Sequence, residues 1–573
     1  MAHKTSELKE AARRRDQTTY RLLESDADNK LIIAGPGTGK TYNFRRALEA
    51  AGGEGLALTF IRALVRDLER DLGDLAQVNT FHGYCKHLAH RVPLEGLTTG
   101  FDYYPPLLLL VAEDIRLLGN GEVGDRDLER ALHNLDDSDG LISRVLQLGS
   151  YYNAVSHSDV VYRVLRHLEA NPASVPEFPL VVVDEYQDFC LLETSFIDVL
   201  RTASPVLVAG DDDQALYAFK DSSPDFIRGL AEHPEFERFD LPYCSRCTEV
   251  IVDAVNNVVK EAQRQGNLSK RVDREYLCYL PDKLADSKAH PDIIWAECSV
   301  QTKRAPYIGR YVTEQIGLIP DEDIAESHNA NYPTALVIGR RHFVEAAYDV
   351  INEAFPNAIL RSSAGLEINA LDGYRRLARD ADSQLGWRIL IRAAPFASAR
   401  KELAGALAAD RPLTEIVPGD YREEHLALAE IIRQLFDEGI TDEQITEVEH
   451  ELDRPFEEIE AALGRDEEGE RDPEPERKEG VPTIVCTSLL GAKGLSAGYV
   501  FIVGFNDGLF PKDPDAVTDD EICKLIVGLS RTRKECHLVS CGFYGTDFMH
   551  PSVFLDWLDV PIEKRVVKKD YWS

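Results

Sequence analysis

The sequence predicts an α/β protein built on parallel sheets, and three stretches carry that prediction. The apolar run Leu31-Ile-Ile-Ala34 feeds a glycine-rich turn and then a helix, Leu180-Val-Val-Val183 ends in two carboxylates, and Val206-Leu-Val-Ala-Gly210 ends in acidic and amide residues. Continuous apolar runs of this length suit strands buried on both faces of a parallel sheet, and polar residues at their C-terminal ends sit where such sheets bind ligands. With 573 residues the chain exceeds what one core organises, so two or more domains are expected.

Composition sets limits on function. Hydrophobic residues make up 44% and charged residues 28%, as in soluble globular proteins. The longest apolar stretch, Pro106-Leu-Leu-Leu-Leu-Val-Ala112, is far too short for a membrane span, and Met1-Ala-His-Lys4 has no apolar signal region behind it, so a cytoplasmic location without membrane contact is expected. Ten scattered cysteines are not a disulfide framework. The 64 basic and 99 acidic residues give a net charge of −35, so any polyanion must be gripped locally, by basic and aromatic residues lining a groove on an acidic body. The acidic excess itself fits either a solvated surface or a docking face for a partner.

In chain order, residues 1–30 are polar and helical in pattern, closing in the turn cluster Ser25-Asp-Ala-Asp-Asn29. Ala34-Gly-Pro-Gly-Thr-Gly-Lys-Thr41 then forms a P-loop. Its free amides can wrap phosphate oxygens, Lys40 can reach the β- and γ-phosphates, and the Thr41 hydroxyl can ligate Mg²⁺. Ala34 stands where the pattern starts with glycine, which is tolerable because the close backbone approach comes at Gly35, Gly37 and Gly39, with Pro36 and Thr38 between them. A helix from Thr41 to Ala51 sets Lys40 and Thr41 at its positive end. Gly55-Leu-Ala-Leu-Thr-Phe60 reads as the next strand, and residues 91–175 lack strand signals and read as a helical insertion.

At the end of the second apolar run, Asp184 is expected to hold Mg²⁺ and Glu185 to orient and deprotonate an attacking water. At the end of the third, Gln214 can sense a γ-phosphate, while Tyr217 and Phe219 either offer faces for bases to stack on or pack in a core. Thr334-Ala-Leu-Val-Ile-Gly-Arg340 reads as a strand of a second lobe. The segment 366–480 reads as a compact, mostly helical insertion closing in the disordered-looking acidic tract Gly464–Glu476. Cys244-Ser-Arg-Cys247 has no second CxxC at zinc-site spacing, and His82, His87 and His90 lack the HExxH pattern, so no zinc site is read from them.

Together these motifs resemble the UvrD/Rep-type superfamily 1 helicases, in the family's order. Phe60 and Arg62 fall in and beside the first DNA-contacting motif, and Thr80-Phe-His-Gly83, which includes Phe81 and His82, matches the next. Asp184-Glu-Tyr-Gln-Asp188 and Gly210-Asp-Asp-Asp-Gln214 match the Walker B and coupling motifs. Leu241-Pro-Tyr-Cys-Ser-Arg-Cys-Thr248 makes Arg246 one arginine finger, and Val527-Gly-Leu-Ser-Arg531 makes Arg531 the second. Gly491-Ala-Lys-Gly-Leu-Ser-Ala497 matches the fifth motif and adds Gly494 to the ATP site; Gln17 is positioned to read adenine, and Arg340 coincides with a family arginine.

The resemblance implies two RecA-like P-loop NTPase domains, each carrying a mainly helical insertion. The first would comprise residues 1–90 and 176–241 with the insertion 91–175; the second, 242–365 and 481–573 with the reduced, acidic insertion 366–480. It also implies ATP and Mg²⁺ as cofactors and 3′-to-5′ movement on single-stranded DNA, with a 3′-tailed duplex as substrate. Departures from the family are informative: Ser496 replaces a glutamate expected near the ribose, Leu490 a histidine, and Ser245 a tyrosine that stacks on adenine. Tyr42 is expected to supply that stacking face from the opposite side. An acidic insertion repels duplex DNA, so strand separation is expected to be weak or to need a partner, and with few residues after Arg531 a fused nuclease domain is not expected. The second reading is therefore a partner-controlled, DNA-sensing ATPase that signals to a separate nuclease or repair factor.

Overall fold

The computed structural model describes residues 2–60, 62–119, 121–217, 220–361, 366–434 and 477–572. Phe219 and the acidic tract Gly464–Glu476 lie outside the described residues, as does the side chain of Arg62.

The first sheet has six parallel strands: β1 (Asn29–Ala34), β2 (Gly55–Thr59), β3 (Ala76–Thr80), β4 (Val181–Asp184), β5 (Val206–Gly210) and β6 (Glu237–Leu241), in the order β3-β2-β4-β5-β1-β6. Alternation within the apolar runs feeds two cores at once. Leu31, Ile33, Val181, Val183, Val206 and Val208 pack on one face, and Ile32, Ala34, Val182, Leu207 and Ala209 on the other. Because β1 lies between β5 and β6, with Leu31 opposite both Val208 and Arg238, the ends of β1, β4 and β5 open on one edge of the sheet.

The second sheet has seven parallel strands: β7 (Ile293–Cys298), β8 (Ala335–Gly339), β9 (Ile359–Leu360), β10 (Ile484–Ser488), β11 (Ala497–Val503), β12 (Thr532–Cys541) and β13 (Ile562–Val567), in the order β9-β10-β8-β11-β12-β7-β13. It too is covered on both faces: Leu336, Ile338, Val500 and Ile502 pack with the helices Glu249–Arg264 and Asp519–Ser530. Ala335, Val337, Phe501 and Val503 pack with Tyr307–Gly317 and Arg341–Ala354.

The helical stretches share a core, which their patterns did not announce. Leu107–Leu117, Asp125–His133 and Leu141–Tyr152 bury one cluster together with Ala370–Arg379, Gln384–Ala393, Ala399–Ala408 and Gly419–Gln434, with Trp387 at zero exposure inside it. Polar groups close the seam. Arg388 Nε donates to Asp114 Oδ1 at 2.9 Å and its Nη2 to Glu113 Oε2 at 3.0 Å, while Tyr152 donates to the other Asp114 oxygen at 2.6 Å. Arg392 adds a bond to Glu113 at 2.9 Å, and Tyr151 donates to the Arg411 carbonyl at 2.6 Å. Among the described residues no helix is long and apolar enough to cross a membrane.

The side chains of Asp114 and Arg388 are almost wholly buried, so each is stable as an ion only with the other present. Arg388→Ala is expected to lower stability by about 3–5 kcal/mol, read as a shift of the denaturant midpoint for the helical body. Arg392→Ala, on a half-exposed pair, should shift it far less.

Candidate active site

The P-loop takes its shape from β1 and from two left-handed glycines. Gly37 has φ +69° and Gly39 φ +90°, and Gly39 caps the helix Lys40–Ala51, whose first-turn amides face the loop. Thr38 Oγ1 donates to the Gly35 carbonyl at 2.9 Å, holding the turn closed. The layer of the second sheet seats directly on this loop: Ser245 N donates to the Gly37 carbonyl at 2.9 Å, and Tyr276 donates its hydroxyl to the Pro36 carbonyl at 3.0 Å. A Cβ at Gly35 would lie 2.7 Å from the Tyr276 ring and one at Gly37 2.4 Å from Arg246 Cβ, so only glycine admits the approach.

Opposite the loop, the end of β4 supplies two carboxylates. Lys40 Nζ lies 2.8 Å from Glu185 Oε1 and 3.6 Å from Asp184 Oδ1. Gln187 Nε2 donates to Glu185 Oε2 at 2.6 Å, and Lys493 approaches that oxygen at 3.6 Å. Burial opposes every charge here, but the two lysines outweigh it at Glu185, which titrates below the usual glutamate range. Burial prevails at Asp184, whose pKa is pushed up to about 6 against the pull of Lys40. Burial also works against the Lys40 ammonium, and Glu185 and Asp184 overcome it and hold its pKa above that of a free lysine.

The end of β5 carries Gln214, which connects the two sheets. Its Nε2 donates to Asp211 Oδ2 at 2.6 Å, its Oε1 accepts from Arg531 Nη2 at 2.7 Å, and its carbonyl accepts from Lys493 Nζ at 2.7 Å. Lys493 also binds Asp188. The acidic triplet Asp211, Asp212 and Asp213 has the composition of a cation site, but arginines already hold it: Arg274 binds all three, Arg271 binds Asp213 at 2.8 Å, and Arg228 binds Asp212 at 3.0 Å.

These groups enclose a cleft of about 320 Å³ lined by the loop from Pro36 to Thr41 and by Asp184, Glu185, Gln214, Arg246, Gly494 and Arg531, together with Leu64, Ser245 and Arg533. Five other residues expected at an ATP site do not line it. Ala34 is buried in β1, Gly35 faces Tyr276, and Gln17 lies on the helix Ala2–Glu24 within 3.5 Å of Arg13. Arg340 is exposed at the cap of Arg341–Ala354. Tyr42, two positions after Lys40, is 54% exposed.

A group of aromatic rings adjoins the cleft. Phe60 lies 5.2 Å from Tyr217 and 6.4 Å from His82, and Lys220 Nζ sits 5.7 Å from the Phe60 ring and 5.8 Å from that of Tyr217. Phe81 is fully buried against Phe189 and Phe196, so it supports this surface from beneath and presents no face, and Thr80 spends its hydroxyl on capping the next helix. On the second sheet, the antiparallel pair Phe543–Tyr544 and Asp547–Phe548 exposes Phe543 and Phe548, the latter to 61%. That pair follows β12 and belongs to none of the motifs read in the sequence.

A family model described as an AAA domain matches residues 17–220. The ATP-dependent DNA helicase UvrD1 of Mycobacterium tuberculosis is 29% identical over 300 residues, covering 42% of this chain and 38% of its own length. The ATP-dependent DNA helicase PcrA of Staphylococcus aureus is 25% identical over 278 residues, covering 40% of this chain and 38% of its own. Over these stretches the chain is similar to the UvrD1 and PcrA helicases. It spans under half the length of the curated relatives it matches.

Against the UvrD-like pattern, two of the three substituted positions make local polar contacts. Ser245, in place of tyrosine, accepts a hydrogen bond from Arg15 at 3.1 Å, and the Arg15 guanidinium lies 4.3 Å from the centre of the Tyr279 ring. Ser496, in place of glutamate, accepts from Arg533 Nε at 3.0 Å. Lys493 and Arg533 are the site residues that motif reading undervalued. Lys493 was noted as part of a motif without a role, and Arg533 lies just past the last motif residue.

Gly37→Ala combines a left-handed backbone, costing about 1–2 kcal/mol, with displacement of Arg246. It is expected to lower the melting temperature and to weaken binding of a fluorescent adenine nucleotide at least tenfold. Gly140→Ala, at φ +68° with no atom within 4 Å of the new Cβ, is the control and should lower stability alone.

Proposed function

We propose that the chain is an ATP-driven motor that moves 3′ to 5′ along single-stranded DNA and separates a 3′-tailed duplex, in repair, recombination or genome defence. The observation that carries this reading is a cleft with a P-loop and a carboxylate pair on one wall and two arginines on the other, coupled through Gln214 to a cluster of aromatic rings. ATP hydrolysis fits the charge pattern. Thr41 and Asp184 line the same cleft and have the hard oxygen donors Mg²⁺ takes, and a bound Mg²⁺ would neutralise charge on the β- and γ-phosphates.

The protein's own groups supply the remaining steps. Lys40 exchanges Glu185 for phosphate oxygens as nucleotide enters; removing the nearest cation raises the basicity of Glu185, which then orients the attacking water and takes its proton. Arg246 and Arg531 stabilise charge on the transferring phosphoryl group and act only when the lobes are closed. Gln214 and Lys493 pass the change to Tyr217, whose ring lies 5.5 Å from Lys493 Nζ and 5.2 Å from Phe60. Aromatic faces on both lobes offer sequence-tolerant stacking for a single strand. The direction of movement rests on the resemblance alone.

A second reading, a DNA-sensing ATPase controlled by a separate nuclease or repair factor, is favoured by the shared helical core, which leaves less of the 370–434 helices free to engage a duplex.

Single-stranded DNA is expected to stimulate ATP hydrolysis by the purified chain, and a 3′-tailed duplex to be displaced while a 5′-tailed one is not. Lys40→Ala should abolish hydrolysis, and Glu185→Gln should abolish it while retaining nucleotide binding. Stimulation without displacement would favour the second reading; no stimulation would overturn both.

A further inference from the structure

One cation in the cleft has no assigned task. Arg533 is the second residue of β12 and lines the cleft beside Arg246 and Arg531. Its guanidinium lies 4.2 Å from the centre of the buried Tyr332 ring, and its Nε donates to Ser496 Oγ at 3.0 Å. These two contacts fix the plane of the guanidinium and use one of its five N–H groups.

Nothing acidic takes up the rest. Among the described residues Arg533 makes no ion pair. The next residue on the strand, Lys534, takes both Asp323 and Glu326, the latter at 2.7 Å. Of the other cations in the cleft, Lys40 is held by Glu185 at 2.8 Å and Arg531 by Gln214 at 2.7 Å. The lining thus has four cations, Lys40, Arg246, Arg531 and Arg533, against the two carboxylates Asp184 and Glu185. That is a local reversal of sign in a chain of net charge −35.

A half-buried, oriented guanidinium without a counter-ion is an arrangement that a bound anion completes. We propose that Arg533, positioned by Ser496 and Tyr332, is a nucleotide-binding residue that donates to an anionic oxygen of the phosphate chain. This rests on reading the cleft as a nucleotide site. Ser496 is integral to the arrangement: a carboxylate at that position would pair with Arg533 and withdraw it from the ligand, whereas a hydroxyl accepts one hydrogen bond and leaves the charge available.

The test is displacement of a fluorescent ATP analogue, with Mg²⁺, by ATP and separately by inorganic tripolyphosphate, which has no base or sugar. Arg533→Gln keeps the bulk of the side chain and loses the charge, and is expected to weaken both competitors about tenfold, the scale of one charge-assisted hydrogen bond. Arg533→Lys keeps the charge and should stay within about threefold of wild type; a merely structural role would make the two variants alike. Wild-type affinity for both competitors in Arg533→Gln, alongside a clear loss in Lys40→Ala, would overturn the proposal while leaving the nucleotide site intact. A loss for ATP with none for tripolyphosphate would also overturn it, by placing the contact on sugar or base. No binding by the wild-type chain would overturn the cleft reading and the proposal together.

Discussion

The buried charge network beneath the cleft is the constraint on which the rest of the structure depends. Asp188, Asp211, Asp212 and Asp213 are almost completely shielded from water, and an isolated carboxylate at such depth is unstable. Lys493 is the counter-ion of Asp188, and Arg228, Arg271 and Arg274 are those of the triplet. Lys493 lies between β10 and β11 of the second sheet, so separating the lobes completely would leave Asp188 without its partner. The groups that hold the molecule together therefore border the groups that would handle phosphate.

Local patterns made much of this legible in the sequence. The stretches Leu31–Ala34, Val181–Val183 and Val206–Gly210 in β1, β4 and β5 are free of polar side chains because both sheet faces are covered, and the polar residues that follow them mark the ligand edge. The P-loop was readable because its glycines are demanded by geometry, with Gly35 and Gly37 approached by Tyr276 and Arg246. The illegible features are those that depend on distant partners. Helices such as Leu141–Tyr152 and Gln384–Ala393 each have an apolar face, and nothing in either says that they cover one another. The triplet Asp211–Asp213 resembles a cation site until the arginines at 228, 271 and 274 are brought to it. Tyr42 and Arg340 are exposed and do not line the cleft.

The sign of the charge also needs the fold for its interpretation. A net −35 weakens attraction for any polyanion at distances beyond about 10 Å only modestly, because salt screens exposed charges over that length. Within the cleft, screening is poor and the local balance decides. Four cations facing two carboxylates make it attractive to phosphate, although the body around it is acidic.

Coupling between the cleft and the aromatic surface follows from the same geometry. Gln214 presents three polar groups to three partners: its amide nitrogen to Asp211, its amide oxygen to Arg531 and its carbonyl to Lys493. Asp211 is held by Arg274, so that end of Gln214 is fixed. Among the described residues Arg531 makes no ion pair, and besides Gln214 it donates to the carbonyls of Val527 and Leu495 and the hydroxyl of Ser530. Were Arg531 drawn toward a bound phosphate, as the proposed function requires, the Gln214 oxygen would lose that hydrogen bond while its carbonyl still carries Lys493. Lys493 in turn lies over Tyr217, whose other neighbour is Phe60. Neighbouring side chains thus run from the cleft to the aromatic rings, and this is the route by which the proposed coupling would act.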